Sequence, residues 1–285
     1  MGSDPGLKGL FRDARYREMA SRLAPAYAGA TPFPHTIIDD FLPEAVASRV
    51  LEEFPLATTE TWDRYDKSAY SKKLAANREE QVGPFIYSVL RELNGPDCLA
   101  FLGTLTGIRG LIPDPYFEGG GLHQILPGGF LKVHADFNRH SQLRLDRRLN
   151  LLVYLNRDWK EEYGGQLELW PKEMQRCAVR ALPVFNRAVI FNTTDNAYHG
   201  HPDPLTCPEG MSRKSMALYY YSAGRPEEET APSHSTLWQM RPRESRGRIG
   251  WARALRRVAR GLQRLPDALR RAARSIDGLP PESGG

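Results

Sequence analysis

Cysteine is scarce in this chain. Cys98, Cys177 and Cys207 are scattered through 285 residues, too few and too dispersed for a disulfide scaffold or a cysteine-built zinc site. Their usage fits a reducing compartment. No apolar run approaches the roughly 18 residues of a spanning helix. The opening stretch MGSDPGLKGLFRDARYREMA has no apolar segment followed by a small-residue cleavage site, so no secretory signal is expected there. Cytoplasmic location, with contact at a membrane periphery as its variant, is the expectation. Lysine is absent after residue 240, where residues 241–285 hold twelve arginines and four acids. That segment carries +8 in a chain of +5, which leaves −3 on residues 1–240. The basic pI therefore belongs to a tail, and a nucleic-acid role for the body is not expected.

What is present is 41% hydrophobic and 26% charged residues, enough apolar material for a sizeable core and too much for a disordered chain. Before residue 110 the pattern is mostly helical. Helices are expected over 8–27, from Pro43 to Pro55, over 79–94 and over 96–109, with a short strand in FPHTIIDD and a polar and aromatic loop with short structure across 58–76. After residue 110 short apolar or alternating runs are separated by Gly, Pro, Asn and Asp: LHQIL, FLKVHAD, NLLVYLN, GQLELW, AVRALPV, RAVIFN and KSMALYYYSA. Many short strands without intervening long helices predict an antiparallel sandwich or squashed barrel. The expected organisation is a helical support region over 1–110, a β core over 111–225, and a linker with a basic tail over 226–285.

In FLKVHAD, His134 and Asp136 stand two residues apart, a spacing that points both side chains to one face of a strand. A third ligand is available in YHGH, at His199 or His201. Two imidazoles and a carboxylate on one face leave open coordination positions, as non-haem iron requires; zinc with a bound water is the chemical rival.

The segments GGFLKVHADFN, RRLNLLVYLNRDWKEEYGGQLELW, PVFNRAVIFNTTDNAYHG and SRKSMALYYYS, in this order, resemble the 2-oxoglutarate- and Fe(II)-dependent oxygenases, in their prolyl 4-hydroxylase-like branch. The resemblance implies a mainly β protein with flanking helices around a double-stranded β-helix, a jelly-roll of cupin type. It implies Fe(II) held by His134, Asp136 and His199, with 2-oxoglutarate and O2 as cosubstrates and ascorbate as a candidate reductant. Arg213 matches the basic partner of the far 2-oxoglutarate carboxylate. Strand alternation puts Ser215 on the same face and Lys214 on the other. Tyr154 matches a tyrosine near that carboxylate, and Gln124 stands where some relatives have another tyrosine. The carboxylate at Asp136 argues for hydroxylation, since relatives that halogenate lack it. The implied reaction hydroxylates an unactivated C–H of a peptide or small molecule and turns 2-oxoglutarate into succinate and CO2.

Two other function classes stay open at this point: a catalytically silent barrel that only binds, and a membrane or RNA adaptor working through the tail. In the tail, Trp251, Leu255, Val258, Leu262, Leu265 and Leu269 recur at spacings of four and three, an amphipathic stripe with arginines on the remaining face. Residues 249–276 are accordingly expected to meet an anionic membrane surface or a partner subunit. The arginine-rich run 138–148 is expected at the rim of the site.

Overall fold

The computed structural model of the chain describes Leu7, residues 9–242 and Glu244. Met1–Gln239 form one compact unit and Met240–Gly285 a second, which lies almost wholly outside the described residues, together with the stripe from Trp251 to Leu269. Within that second unit, the Arg241 amide and guanidinium donate to the Glu244 carboxylate. Among the described residues no helix is long and apolar enough to cross a membrane.

Asp13 caps α1 (Ala14–Ala28) by accepting from the Arg15 amide. β1 (His35–Ile38) follows, then α2 (Glu44–Glu52), which starts after Pro43. The stretch expected as a loop with short structure folds into a hairpin, β2 (Asp63–Lys67) and β3 (Tyr70–Ala76). Its polar composition hid it, because it covers the barrel and most of β2 faces solvent. The helix expected over 79–94 breaks at Gly83, whose φ of 83° favours glycine. This gives α3 (Glu79–Val82) and α4 (Pro84–Leu93), with Pro84 at the first turn, where no amide is needed. α5 (Pro96–Thr106) ends at Gly107.

The remaining strands are β4 (Ile112–Pro113), β5 (Gly121–Ala135), β6 (Asp146–Tyr154), β7 (Leu167–Trp170), β8 (Val179–Ala181), β9 (Ala188–Asn192), β10 (Tyr198–His201), β11 (Arg213–Ser222) and β12 (Leu237–Trp238). The main path runs β1-β9-β6-β11-β5-β10-β7-β8, every pairing antiparallel. This is a near-closed barrel of eight strands flanked by helices, the double-stranded β-helix arrangement. Residues 226–239, read above as a linker, belong to the first unit and carry β12, which pairs with β5.

β5 is the corner strand. Its first half pairs with β11 and its second half with β10, while β3 runs along it from Leu122 to Leu131. The two runs expected as separate strands are thus one long strand bent at Pro127–Gly129. A Cβ on Gly129 would come within 2.8 Å of the Ser71 and Leu126 carbonyl oxygens, so only glycine fits the bend.

Alternation on β6 and β11 decides what faces the helices and what faces the barrel. Leu149, Leu151, Val153, Met216, Leu218 and Tyr220 join the core built with α1, α2, α4 and α5. Asn150, Leu152, Arg213, Ser215 and Tyr219 line an internal cavity. Buried phenols tie the layers together: Tyr16 donates to the Phe41 carbonyl at 2.8 Å and Tyr220 to the Leu93 carbonyl at 2.8 Å.

Candidate active site

The cavity, about 290 Å³, opens between the β2–β3 hairpin and the barrel mouth. At one end, His134 near the end of β5 pairs in register with His199 on β10. Asp136, just beyond β5, closes the group. Gly200 allows this approach, since a Cβ there would come within 2.8 Å of the Leu131 and Lys132 carbonyl oxygens. His134 Nε2 lies 3.4 Å from Asp136 Oδ1, and His199 Nε2 lies 3.5 Å from Asp136 Oδ2. One ligand atom from each residue fits within 4.8 Å of the others.

Second contacts aim these groups. His134 Nδ1 donates to the Lys132 carbonyl at 2.8 Å and His199 Nδ1 to the Ala197 carbonyl at 2.9 Å. With the proton fixed on Nδ1, both Nε2 lone pairs point toward the carboxylate. Three acceptors facing one another repel unless a cation sits among them, so the donor set fits a divalent metal. Burial pushes the His199 imidazole down to about 4, so it is neutral and ready to ligate at neutral pH. Burial alone would raise the Asp136 carboxyl; the Arg147 guanidinium beside it outweighs burial and holds Asp136 well below the usual range.

Asp136 is held by residues whose role the sequence did not reveal. Arg147 Nη2 lies 3.0 Å from Asp136 Oδ2, and Asn150 Nδ2 donates to the same oxygen at 2.8 Å. Arg147 also donates to Asn150 Oδ1 and packs over the Tyr219 ring, 3.6 Å from its centroid. The expected rim over 138–148 therefore divides. Arg139 and Arg144 are exposed, whereas His140 is buried against Asp114, Arg148 pairs with Glu229, and Arg147 serves Asp136. A charge run gives no hint of which members turn inward; the start of β6 at Asp146 sets the inward Arg147 and Arg148 apart from the exposed Arg139 and Arg144.

At the other end, Arg213 is buried, with Nε donating to the Gly165 carbonyl at 2.7 Å and Nη2 to the Tyr154 hydroxyl at 3.1 Å. No carboxylate pairs with it among the described residues, and Nη1 meets no acceptor among them. Burial lowers its pKa, which the Tyr154 hydroxyl partly offsets. Ser215 lines the cavity beside it, while Lys214 turns away and donates to Ser212 at 2.9 Å. Tyr154 reaches the site through Arg213, and its ring is not part of the cavity wall. Gln124 faces away as well, donating to Ser212 Oγ at 2.7 Å. In its place His123 lines the cavity, paired in register with Ser215. His201 also lines the cavity but stands outside the three-residue cluster, its Nδ1 without a partner. Trp238 covers the mouth, 5.0 Å ring to ring from His134.

The family model described as 2OG-Fe(II) oxygenase superfamily matches residues 120–221, the stretch from the cavity glycines through β11. That stretch is similar to the 2-oxoglutarate- and Fe(II)-dependent oxygenases. Its fold is that of the prolyl 4-hydroxylase-like branch. A Trichoplax adhaerens prolyl hydroxylase, solved with a hypoxia inducible factor peptide fragment, superposes with a TM-score of 0.54 at 17% identity, covering 74% of this chain and 93% of that one. Prolyl 4-hydroxylase from Phytophthora capsici gives 0.52 at 19% identity, over 90% of this chain and 77% of that one. Both likenesses speak for the fold alone. No curated protein matches the sequence. The oxygenase is an enzyme using Fe(II) and 2-oxoglutarate, and its intact His-Asp-His cluster speaks against a catalytically silent barrel.

Proposed function

We propose that His134, Asp136 and His199 hold Fe(II), that Arg213 and Ser215 hold the far carboxylate of 2-oxoglutarate, and that the enzyme hydroxylates an unactivated C–H of a small molecule or peptide entering under Trp238. The observation that carries the reading is a buried arginine without a counter-ion in the same cavity as a His-Asp-His cluster. A planar guanidinium with free donors suits a carboxylate, and a buried cation calls for one.

When bound, Fe(II) activates oxygen at the expense of 2-oxoglutarate, which leaves as succinate and CO2. The protein's own part is positional. The Lys132 and Ala197 carbonyls keep both imidazoles in the ligating tautomer. Arg147 and Asn150 keep Asp136 ionised and oriented. Tyr154 and the Gly165 carbonyl fix the plane of Arg213, so that the carboxylate it receives is held in one direction. The apolar wall at Leu152 and Leu167 keeps water from the space between the two ends.

The cytoplasmic reading, supported by three unpaired cysteines, and the membrane or subunit role of 249–276 belong to the same proposal. The test is aerobic incubation with Fe(II), 2-oxoglutarate and a metabolite and peptide library, read by succinate and by a product one oxygen heavier. Succinate without metal, or undiminished in His134→Ala, would overturn the residue assignment.

A further inference from the structure

We propose that Lys73 is the anchor of a substrate carboxylate: the molecule to be hydroxylated is a small carboxylic acid whose anionic group pairs with the Lys73 ammonium inside the cavity. The inference rests on the oxygenase reading above and adds the substrate class to it.

Lys73 comes from β3, in the hairpin laid across β5. It pairs with Ile125 of β5, and Ile125 pairs on its other side with Arg213 of β11. Paired residues share a face of the sheet, so Lys73 and Arg213 stand on one face with a single strand between them. Both line the cavity. Its neighbour Lys72 points outward and donates to the Pro127 carbonyl at 2.7 Å. The Lys73 side chain makes no hydrogen bond and no ion pair among the described residues, although the Asp136 charge favours its ionised form. Burial pushes its ammonium down to about 8, which leaves it mostly charged at pH 7. Lys73 is half-buried on the cavity wall, and a partly desolvated ammonium without an acceptor gains when a ligand supplies one.

The charges in the cavity point to where that ligand comes from. Of its acidic side chains, Asp136 is matched by Arg147, and Asp63 pairs with Arg78 at 3.7 Å. A divalent metal and the 2-oxoglutarate dianion cancel each other. Two positive charges remain, on Arg213 and Lys73, and the loaded cavity therefore still favours an anion. Arg213 is spoken for by the cosubstrate in this reading, so Lys73 is the free partner. One ammonium, a point charge with three donors, matches a monoanionic carboxylate better than a phosphate dianion.

The test uses the full chain loaded with Mn(II) and 2-oxoglutarate, with acetate as the probe. Bound close to paramagnetic Mn(II), acetate shows broadened methyl resonances that saturate on titration. Acetate should bind at least ten-fold more tightly than neutral acetamide. Lys73→Met should weaken acetate at least ten-fold and Lys73→Arg should retain it, while calorimetric 2-oxoglutarate affinity changes less than three-fold in both. The inference fails if acetate does not saturate, if acetamide binds equally well, or if Lys73→Met leaves acetate broadening unchanged, as direct ligation of the metal would. It also fails if inorganic phosphate, followed by ³¹P broadening, binds more tightly than acetate through Lys73. A ten-fold loss of 2-oxoglutarate affinity in Lys73→Met would assign the lysine to the cosubstrate instead. Failure of the wild-type protein to bind 2-oxoglutarate with Mn(II) is a separate result, and it overturns the oxygenase residue assignment itself.

Discussion

Arg147 and Arg213 are buried arginines on the wall of one cavity, yet their surroundings differ. Arg147 is saturated by its own protein: Asp136, Asn150 and the Tyr219 ring take its charge, its donors and its face. Arg213 has a carbonyl and a phenol but no anion. A charge completed within the fold supports structure. A buried charge left incomplete is held in place by the rest of the fold for something that arrives from outside. The metal end of the cavity is prepared from within, and the far end is prepared for a ligand.

The largest expected effect breaks the metal end outright. His134→Ala or Asp136→Ala should lower succinate formation by more than the roughly 10–100-fold that losing a supporting hydrogen bond costs, measured at saturating Fe(II). Next comes the contrast between the arginines. Arg147→Ala strands the buried Asp136 carboxylate and should cost about 3–5 kcal/mol of stability in metal-free protein, whereas Arg213→Ala removes an uncompensated charge and should leave the melting temperature unchanged or higher. Equal destabilisation by both substitutions would erase the distinction. Asn150→Leu removes one donor to Asp136 and should weaken metal binding by about 10–100-fold, read by metal titration.

A pH series sharpens the metal end further. The His199 pKa is depressed to about 4 in the folded protein against about 6.5 in the unfolded chain. Between these values the unfolded state binds the extra proton. Metal-free stability should therefore be fully present above pH 6.5 and fall as pH drops toward 4, by up to about 1.4 kcal/mol per pH unit. Asp136, also held below its ordinary value, adds loss in the same direction at still lower pH. Melting curves of His199→Asn should show a shallower slope across this window. The smallest effect is expected from cutting the chain after residue 240: the cavity residues all lie in the unit ending at Gln239, so metal and 2-oxoglutarate affinities should not change. Liposome sedimentation of the two lengths tests the membrane role of 249–276.

Much of the metal end was legible because short-range geometry carries it. The two-residue spacing of His134 and Asp136 is itself a statement about one face of a strand, and the same alternation separates Arg213 and Ser215 from Lys214. What escaped was set by pairing between distant strands. Lys73 sits in a polar stretch with no strand periodicity, and only its register against Ile125 brings it into the cavity. Arg147 was expected with its neighbours at the rim of the site, and the structure turns it inward onto the Asp136 carboxylate. Gln124 stands where some relatives have a tyrosine near the cosubstrate, and the resemblance left its own role open. The bend at Pro127–Gly129 turns it outward and presents His123 instead.

The most direct measurement of the central claim is calorimetric titration of 2-oxoglutarate into Mn(II)-loaded wild-type, Arg213→Ala and Lys214→Ala proteins. Arg213→Ala should bind at least about 30-fold more weakly, the equivalent of about 2 kcal/mol for a charge-assisted contact in a buried site. Lys214→Ala, altered on the opposite face of the same strand, should match wild type. Undiminished binding by Arg213→Ala, or equal losses in the two variants, would contradict the account.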